Sequence, residues 1–423
     1  MEINRLENAI GIAKRRIVPF LLLMYVLAFL DRANIGFAKE TFQISTGISN
    51  SAYALGASLF FISYAILEIP SNLALHKVGA KIWMCRIMVT WGLISAGMIF
   101  VWNETSFYIM RVLLGAAEAG FFPGVILYLT YWFPDRSRGQ IMGLFYFGAP
   151  LSFIFGAPLS GFLLQFHGFW SLQGWQWMFL VEGLLASIVG VWAFFYLDNK
   201  PQDAAWLSAP DKQALITAMQ EQDEDRNQHG LKDMKKVFFK PVIIQLLVIY
   251  ALIQMSVYGV VFYFPEQVAS LLGTKVGVKV GFVSTIPWIF AICAIYVFPK
   301  LADAKDAHRM IGGFTLLCSA IGIAVSVSTP PLMALIALCF AAAGFFAVQP
   351  TFWVFPTSHL GGTAAAAGIG LINSFGALGS FVAPNLKNWA DDTFGVGSGL
   401  YALAIGAFIG AILIFCIPRW KKV

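Results

Sequence analysis

Twelve long apolar runs decide what this chain can fold into. They lie near 17–38, 52–75, 82–102, 107–131, 141–165 and 176–197, and again near 242–265, 279–299, 310–328, 331–356, 363–386 and 398–418. Each is close to the roughly 20 residues that a helix needs to cross a bilayer. In lipid the backbone must satisfy its own N–H and C=O groups, which leaves helices or closed barrels. Barrel strands are short and alternate in polarity, whereas these runs are long and continuous. The chain therefore reads as an all-α membrane protein with twelve transmembrane helices in two sets of six. Composition agrees. Hydrophobic residues make up 59% and charged residues 12% of the 423, against about 45–50% and about 25% in soluble domains. With 28 Lys and Arg and 22 Asp and Glu, the chain cannot present a water-soluble surface. An ordinary cytoplasmic enzyme is excluded.

Between the two sets lies 198–240, where 15 of the charges fall within 43 residues. It reads as a solvated central loop joining an N-terminal six-helix bundle (1–197) to a C-terminal one (241–423). Lys and Arg set the orientation, because they accumulate on the cytoplasmic side. With the N-terminus inside, 22 of the 28 fall in cytoplasmic segments and four (Lys39, Lys275, Lys279 and Lys387) fall outside. The split predicts both termini on the cytoplasmic side of the membrane. Lys14-Arg15-Arg16 before an apolar run resembles a signal peptide, but no small-residue cleavage site follows and the run continues through Asp31-Arg32. The five cysteines are scattered through apolar runs without a CxxC and read as small hydrophobes. The net charge of +6 is spread over short clusters between spans, so no nucleic-acid surface is expected. No metal site is expected either.

The two sets are related. Ala119-Gly120-Phe121-Phe122 recurs as Ala343-Gly344-Phe345-Phe346, Phe147-Gly148-Ala149 as Phe375-Gly376-Ala377, and Ala157-Pro158 as Ala383-Pro384, at offsets of 224, 228 and 226 residues. Three matches in order at near-constant spacing link equivalent helices. Two six-helix pseudo-repeats place a substrate site near the bilayer midplane between them.

Charges inside the spans are expensive, about 2.5–3.5 kcal/mol each on insertion scales. Asp31-Arg32 falls about 14 residues into the first run, roughly 21 Å at 1.5 Å per residue. The pair is either part of a polar cavity or the solvated end of a helix that stops early. Arg111 and Glu118 lie seven apart in the fourth run, on one helix face. They read either as a structural ion pair or as members of a group of two acids and two bases in a water-filled cavity. In the second reading burial favours protonation of an acid, a nearby Arg opposes it, and an anion on that Arg weakens the opposition. Glu68, Glu182 and Glu266 read as helix-end or gate contacts. The second half has no ionisable residue deep in its runs but carries Gln254, Tyr258, Gln349, Trp353, Asn373 and Ser374. Singly, such groups bond between helices; together they suit the hydroxyls of a small polar anion whose carboxylate meets Arg. Gly and Pro clusters in the fifth and eleventh runs suit close packing and helices that bend.

These residues carry a resemblance. Leu30-Asp31-Arg32-Ala33-Asn34-Ile35-Gly36, Glu68-Ile69-Pro70-Ser71-Asn72, Arg111 to Gly124 and Trp132-Phe133-Pro134 resemble the major facilitator superfamily, and within it the anion:cation symporters. Around Ala116 to Gly124 and Gly273 to Gly277 the chain is most similar to bacterial rhamnonate transporters. The resemblance implies proton-coupled uptake of an organic anion by alternating access. It casts Asp31 and Glu118 as proton carriers and Arg32 and Arg111 as anion and coupling groups. Tyr64, Trp353 and Asn373 fall where the family contacts substrate; Gln254 and Tyr258 join them from the reading above. The superfamily's loop after the second helix usually carries Asp before a basic residue. Here His76 stands at that position, followed by Lys77 and Gly79, while the counterpart loop keeps Asp303.

The expectation is thus a symporter for a small carboxylate such as rhamnonate or another aldonate. It uses protons as its coupling ion, needs no cofactor and works as a monomer in the lipid bilayer. Tartrate or aromatic-acid transport and export are the nearest alternatives. A membrane enzyme is remote: no HExxH or GxSxG occurs, and His76, His167, His229, His308 and His359 are dispersed.

Overall fold

A computed structural model describes residues 2–229, 241–359 and 362–418 of the chain. Twelve of its helices are long and apolar enough to cross a membrane: Asn4–Thr46, Asn50–Val78, Ala80–Phe100, Glu104–Trp132, Ile141–Phe166 and Gly174–Tyr196 in the first half, then Pro241–Val261, Val278–Lys305, His308–Ser328, Pro331–Pro356, Gly368–Phe394 and Ser398–Phe415 in the second. They match the twelve apolar runs one for one. The first helix runs unbroken from Glu2 to Thr46, so Asp31-Arg32 lies within a helix and not at a solvated end. An even number of spans puts both chain ends on one face, the terminal face; the opposite one is the far face.

Small residues set the packing inside each half. Gly92 and Gly183 let the third and sixth spans touch backbone to backbone, and Gly322 and Gly344 do the same for the ninth and tenth. Van der Waals contact of this kind replaces the hydrophobic drive that lipid removes. Large side chains such as Ile188, Phe195 and Phe340 point outward and are exposed, as a lipid-facing surface requires.

The repeated Ala-Gly-Phe-Phe motif folds differently in the two halves. Gly344 sits inside the continuous helix Pro331–His359. Gly120 adopts φ 86° and splits the fourth span into Glu104–Glu118 and Phe121–Trp132. The broken turn frees a carbonyl at Ala117, which accepts from Arg86 Nη1 at 3.2 Å.

The central segment is only partly a loop. Residues 230–240, and the C-terminal Arg419, Lys421 and Lys422, lie outside the described residues. Ahead of 230 the helix Ala209–His229 docks on the first span. Leu215 is buried, Asn8 Nδ2 donates to Asp211 Oδ2 at 3.0 Å, and Arg16 lies over the rings of Tyr196 and Trp206.

The two halves meet tightly near the far face. A Cβ on Gly36 would fall 2.7 Å from the Phe262 carbonyl oxygen, one on Gly161 2.6 Å from that of Gly277, and one on Gly281 against that of Ala157. Asn385 Nδ2 donates to Ser58 at 2.8 Å, and Lys39 pairs with Glu266 at 2.5 Å. Glycine is required at Gly281 by that close approach, so Gly281→Leu should push the halves apart there. A cysteine introduced by Ser58→Cys on a cysteine-free background reports it. A membrane-impermeant thiol reagent should modify it several-fold faster when Gly281→Leu is added; an unchanged rate contradicts the closure.

Candidate functional site

Neighbouring residues on a helix point about 100° apart, and this separates Asp31 from Arg32. Arg32 faces the space between the halves. Its Nε donates to Glu118 Oε1 at 2.7 Å, its Nη2 lies 2.5 Å from the same oxygen, and its Nη1 donates to the Tyr258 hydroxyl at 3.0 Å. Tyr258 belongs to the second half, so one guanidinium links the halves. The rings of Tyr64, Phe29 and Phe60 lie 5.1–5.4 Å from its centre, within cation–π range. Glu118 is fully buried at the end of the broken helix, and its Oε2 has no partner among the described residues.

Asp31 points the other way, into the first bundle. Its Oδ1 accepts from the Ser95 hydroxyl and from Asn34 Nδ2 at 3.1 Å. Arg111 is also buried but does not reach the cavity. Its Nη2 and Nε donate to the carbonyls of Ala57 and Gly56 at 2.9 and 3.4 Å, which ties the fourth span to the second. It makes no direct bond to Glu118, although the two share a helix face. Of the four charges Arg32 alone lines the cavity; Glu118 is buried behind it and reaches it through the ion pair with Arg32, and Asp31 and Arg111 stand further back.

The cavity lies between the halves and is open to solvent. It lies at mid-depth and toward the terminal face, below the far-face closure. Arg32, Tyr64, Gln254, Tyr258 and Asn373 line it, as does Gln349. Gln254 Oε1 is buried and has no hydrogen-bond partner among the described residues. Trp353 does not line it. Its ring meets Tyr250 edge-on at 4.9 Å and so stands one layer behind. Tyr25, Tyr146 and Tyr250 also line the cavity. Their only signal in the sequence is a hydroxyl inside an apolar run. Asn373 Nδ2 donates to Glu68 Oε1 at 2.7 Å, a further bond between the halves, and Glu266 joins Lys39 at the far-face closure. Those two acids each bridge the two halves. Glu182 is neither a helix-end nor a gate residue: it is buried in the first half, with Ser160 donating to it at 2.7 Å.

The Arg32–Tyr258 bond is a hydrogen bond to a charged group, worth about 1.5–3 kcal/mol. Tyr258→Phe should therefore weaken binding of a carboxylate at Arg32 by roughly tenfold or more, read as a shift in the titration midpoint. A change under twofold would show that this bond does not orient Arg32.

A profile of the Major Facilitator Superfamily matches residues 21–384. The chain belongs to this superfamily. It is 49% identical over 403 residues to the inner membrane transport protein RhmT of Escherichia coli K12, covering 95% of this chain and 93% of that protein. It is 41% identical to a putative tartrate transporter of Agrobacterium vitis, covering 96% and 90%. In fold it is similar to the solved structure of a bacterial homologue of the human lysosomal transporter Spinster, inward-facing and unoccupied, with a TM-score of 0.77, 16% identity and coverage of 97% and 99%. The chain is a membrane transporter and not an enzyme.

The superfamily's loop after the second span is built here without a carboxylate. His76 Nδ1 lies 3.0 Å from the Tyr131 hydroxyl, and Lys77 is exposed. Gly79 adopts φ 98°, and Asn199 packs beside it: Asn199 Oδ1 accepts from the Lys81 N–H at 3.0 Å and lies 2.8 Å from where a Cβ would sit. In the counterpart loop Asp303 bonds His308 at 2.8 Å.

Proposed function

We propose that this transporter imports a small organic anion, a sugar acid such as rhamnonate or another aldonate, together with protons. It does so by alternating access in a bacterial inner membrane, as a monomer with both termini cytoplasmic. The observation that carries the reading is that Arg32, in the cavity between the halves, is bound by Glu118. An anion entering the cavity competes with that carboxylate for the same guanidinium. A proton on Glu118 removes the competitor, since a neutral acid holds a guanidinium far less strongly than a charge-assisted pair does. Anion and proton are then taken up together and released together.

The remaining groups suit a polyhydroxy acid. The carboxylate meets the planar donor fork of Arg32, and the hydroxyls meet Gln254, Tyr258, Asn373 and Gln349. Among the described lining residues Arg32 is the single cationic side chain. That favours a monocarboxylate over tartrate, whose second carboxylate would lie unanswered. In the far-face-open form Glu118 takes a proton and the anion binds Arg32. The halves then rock about the site, Glu118 loses its proton toward the cytoplasm, and its carboxylate reclaims Arg32 and displaces the anion. Asp31 acts as a second proton carrier in this scheme.

Uptake of labelled rhamnonate into proteoliposomes tests the reading. An inward proton gradient should drive accumulation many-fold above the outside concentration, and a protonophore should abolish it. Uptake indifferent to the gradient contradicts the coupling. Preference for tartrate contradicts the substrate class.

A further inference from the structure

Behind Arg32 lies a second polar cluster, walled off from the cavity and built from four spans. Asp31 and Asn34 come from the first span, Ser95 from the third, Ser160 from the fifth and Glu182 from the sixth. Asp31 and Glu182 are each 2% exposed, and Asn34 is fully buried. Ser95 and Asn34 donate to Asp31 Oδ1, and Ser160 donates to Glu182 Oε1 at 2.7 Å. Asn34 and Asp31 both lie within electrostatic range of Glu182. One oxygen on each of the three, Asp31 Oδ2, Glu182 Oε2 and Asn34 Oδ1, has no donor among the described residues.

The charges do not balance. Arg32 is occupied by Glu118. Arg111 is the basic group in reach of Asp31, and no Lys, Arg or His among the described residues pairs with Glu182. Two buried carboxylates sharing one guanidinium leave a net negative charge in a low-dielectric interior, which is strongly unfavourable. Three acceptor oxygens without a hydrogen between them are also unfavourable. A single proton removes the excess charge and turns one of these oxygens into a donor.

We propose that Glu182 is a third proton-binding carboxyl of the transport cycle, coupled electrostatically to Asp31. The inference rests on the proton-coupled reading above and deepens it. A proton binds at Glu182 Oε2 or Asp31 Oδ2 and leaves again from these oxygens; no bond other than O–H forms or breaks. Glu182 thereby keeps the cluster at an even charge while Asp31 loads and unloads. The groups facing it are Asp31 and Asn34 on the first span and Ser160 on the fifth. Ser95 and Arg111 act on it through Asp31.

Glu182→Gln keeps the shape and a hydrogen-bonding group for Ser160 but binds no proton. In proteoliposomes it should retain rhamnonate counterflow within about twofold of wild type while losing at least tenfold in gradient-driven accumulation. Glu182→Asp restores a titratable group one methylene away, so accumulation should return with its pH midpoint moved. A Glu182→Gln variant with wild-type accumulation overturns the proposal, as does a Glu182→Asp variant whose midpoint is unmoved, including the case in which the glutamine variant does not fold. Infrared difference spectra between acid and alkaline pH, taken without substrate, should show a protonated-carboxyl band that Glu182→Gln lacks; identical spectra also overturn it. A wild-type protein that accumulates no sugar acid contradicts the proposed function, while the infrared band still decides the role of Glu182.

Discussion

Replacing Arg32 by lysine should reduce uptake at least a hundredfold. Lysine keeps the charge but offers one compact ammonium, whereas Arg32 donates to Glu118 and Tyr258 from different nitrogens and presents a planar fork to a carboxylate. Arg32→Ala should do more. It leaves Glu118 buried and unpaired, at about 3–5 kcal/mol for a broken buried pair, so folded protein should fall as well as transport. Uptake per milligram of monodisperse protein, compared across the two variants, separates these effects. A lysine variant within tenfold of wild type would mean that Arg32 does not hold the anion.

Glu118→Gln carries the second large effect, in the opposite sense for binding. The amide resembles the protonated acid and cannot compete for Arg32 as a carboxylate does. In wild type, anion affinity should fall as pH rises, because ionised Glu118 then occupies the guanidinium. In Glu118→Gln, affinity should be nearly flat with pH and higher than wild type at alkaline pH. Exchange of internal for external anion should survive, and accumulation against a gradient should drop at least tenfold. An amide variant that still accumulates substrate removes Glu118 from the coupling.

The twelve spans were readable because lipid leaves a chain no other way to satisfy its backbone. Each apolar run became a helix. The site was readable only in part, for reasons that particular residues make plain. Asp31 and Arg32 are adjacent in sequence, yet helix geometry turns one into the bundle and the other into the cavity. Arg111 and Glu118 share a face as their spacing requires, yet Arg111 is drawn to the carbonyls of Gly56 and Ala57, which no side-chain pattern reveals. Tyr25, Tyr146 and Tyr250 pass as core residues in an apolar run until the neighbouring helices are placed. Glu182 lies only eight residues inside its helix and so reads as an end residue; its burial depends on three other spans. The motif shared by Gly120 and Gly344 breaks one helix and packs another: Gly120 lies against the Ser71 side chain and Gly344 against the Thr315 carbonyl, neighbours that the motif itself does not encode. How the halves lean on each other depends on backbone approaches such as Gly281 to Ala157, which sequence periodicity does not encode.

The central claim is that an anion and the Glu118 carboxylate compete for Arg32, so that binding an anion brings a proton with it. Calorimetric titration of purified protein with rhamnonate, repeated in buffers of different ionisation enthalpy at one alkaline pH, counts that proton directly. Wild type should take up close to one proton per anion bound at this group, and Glu118→Gln should take up correspondingly fewer. Binding of rhamnonate to wild type without proton uptake, or the same proton count in both proteins, would contradict the account.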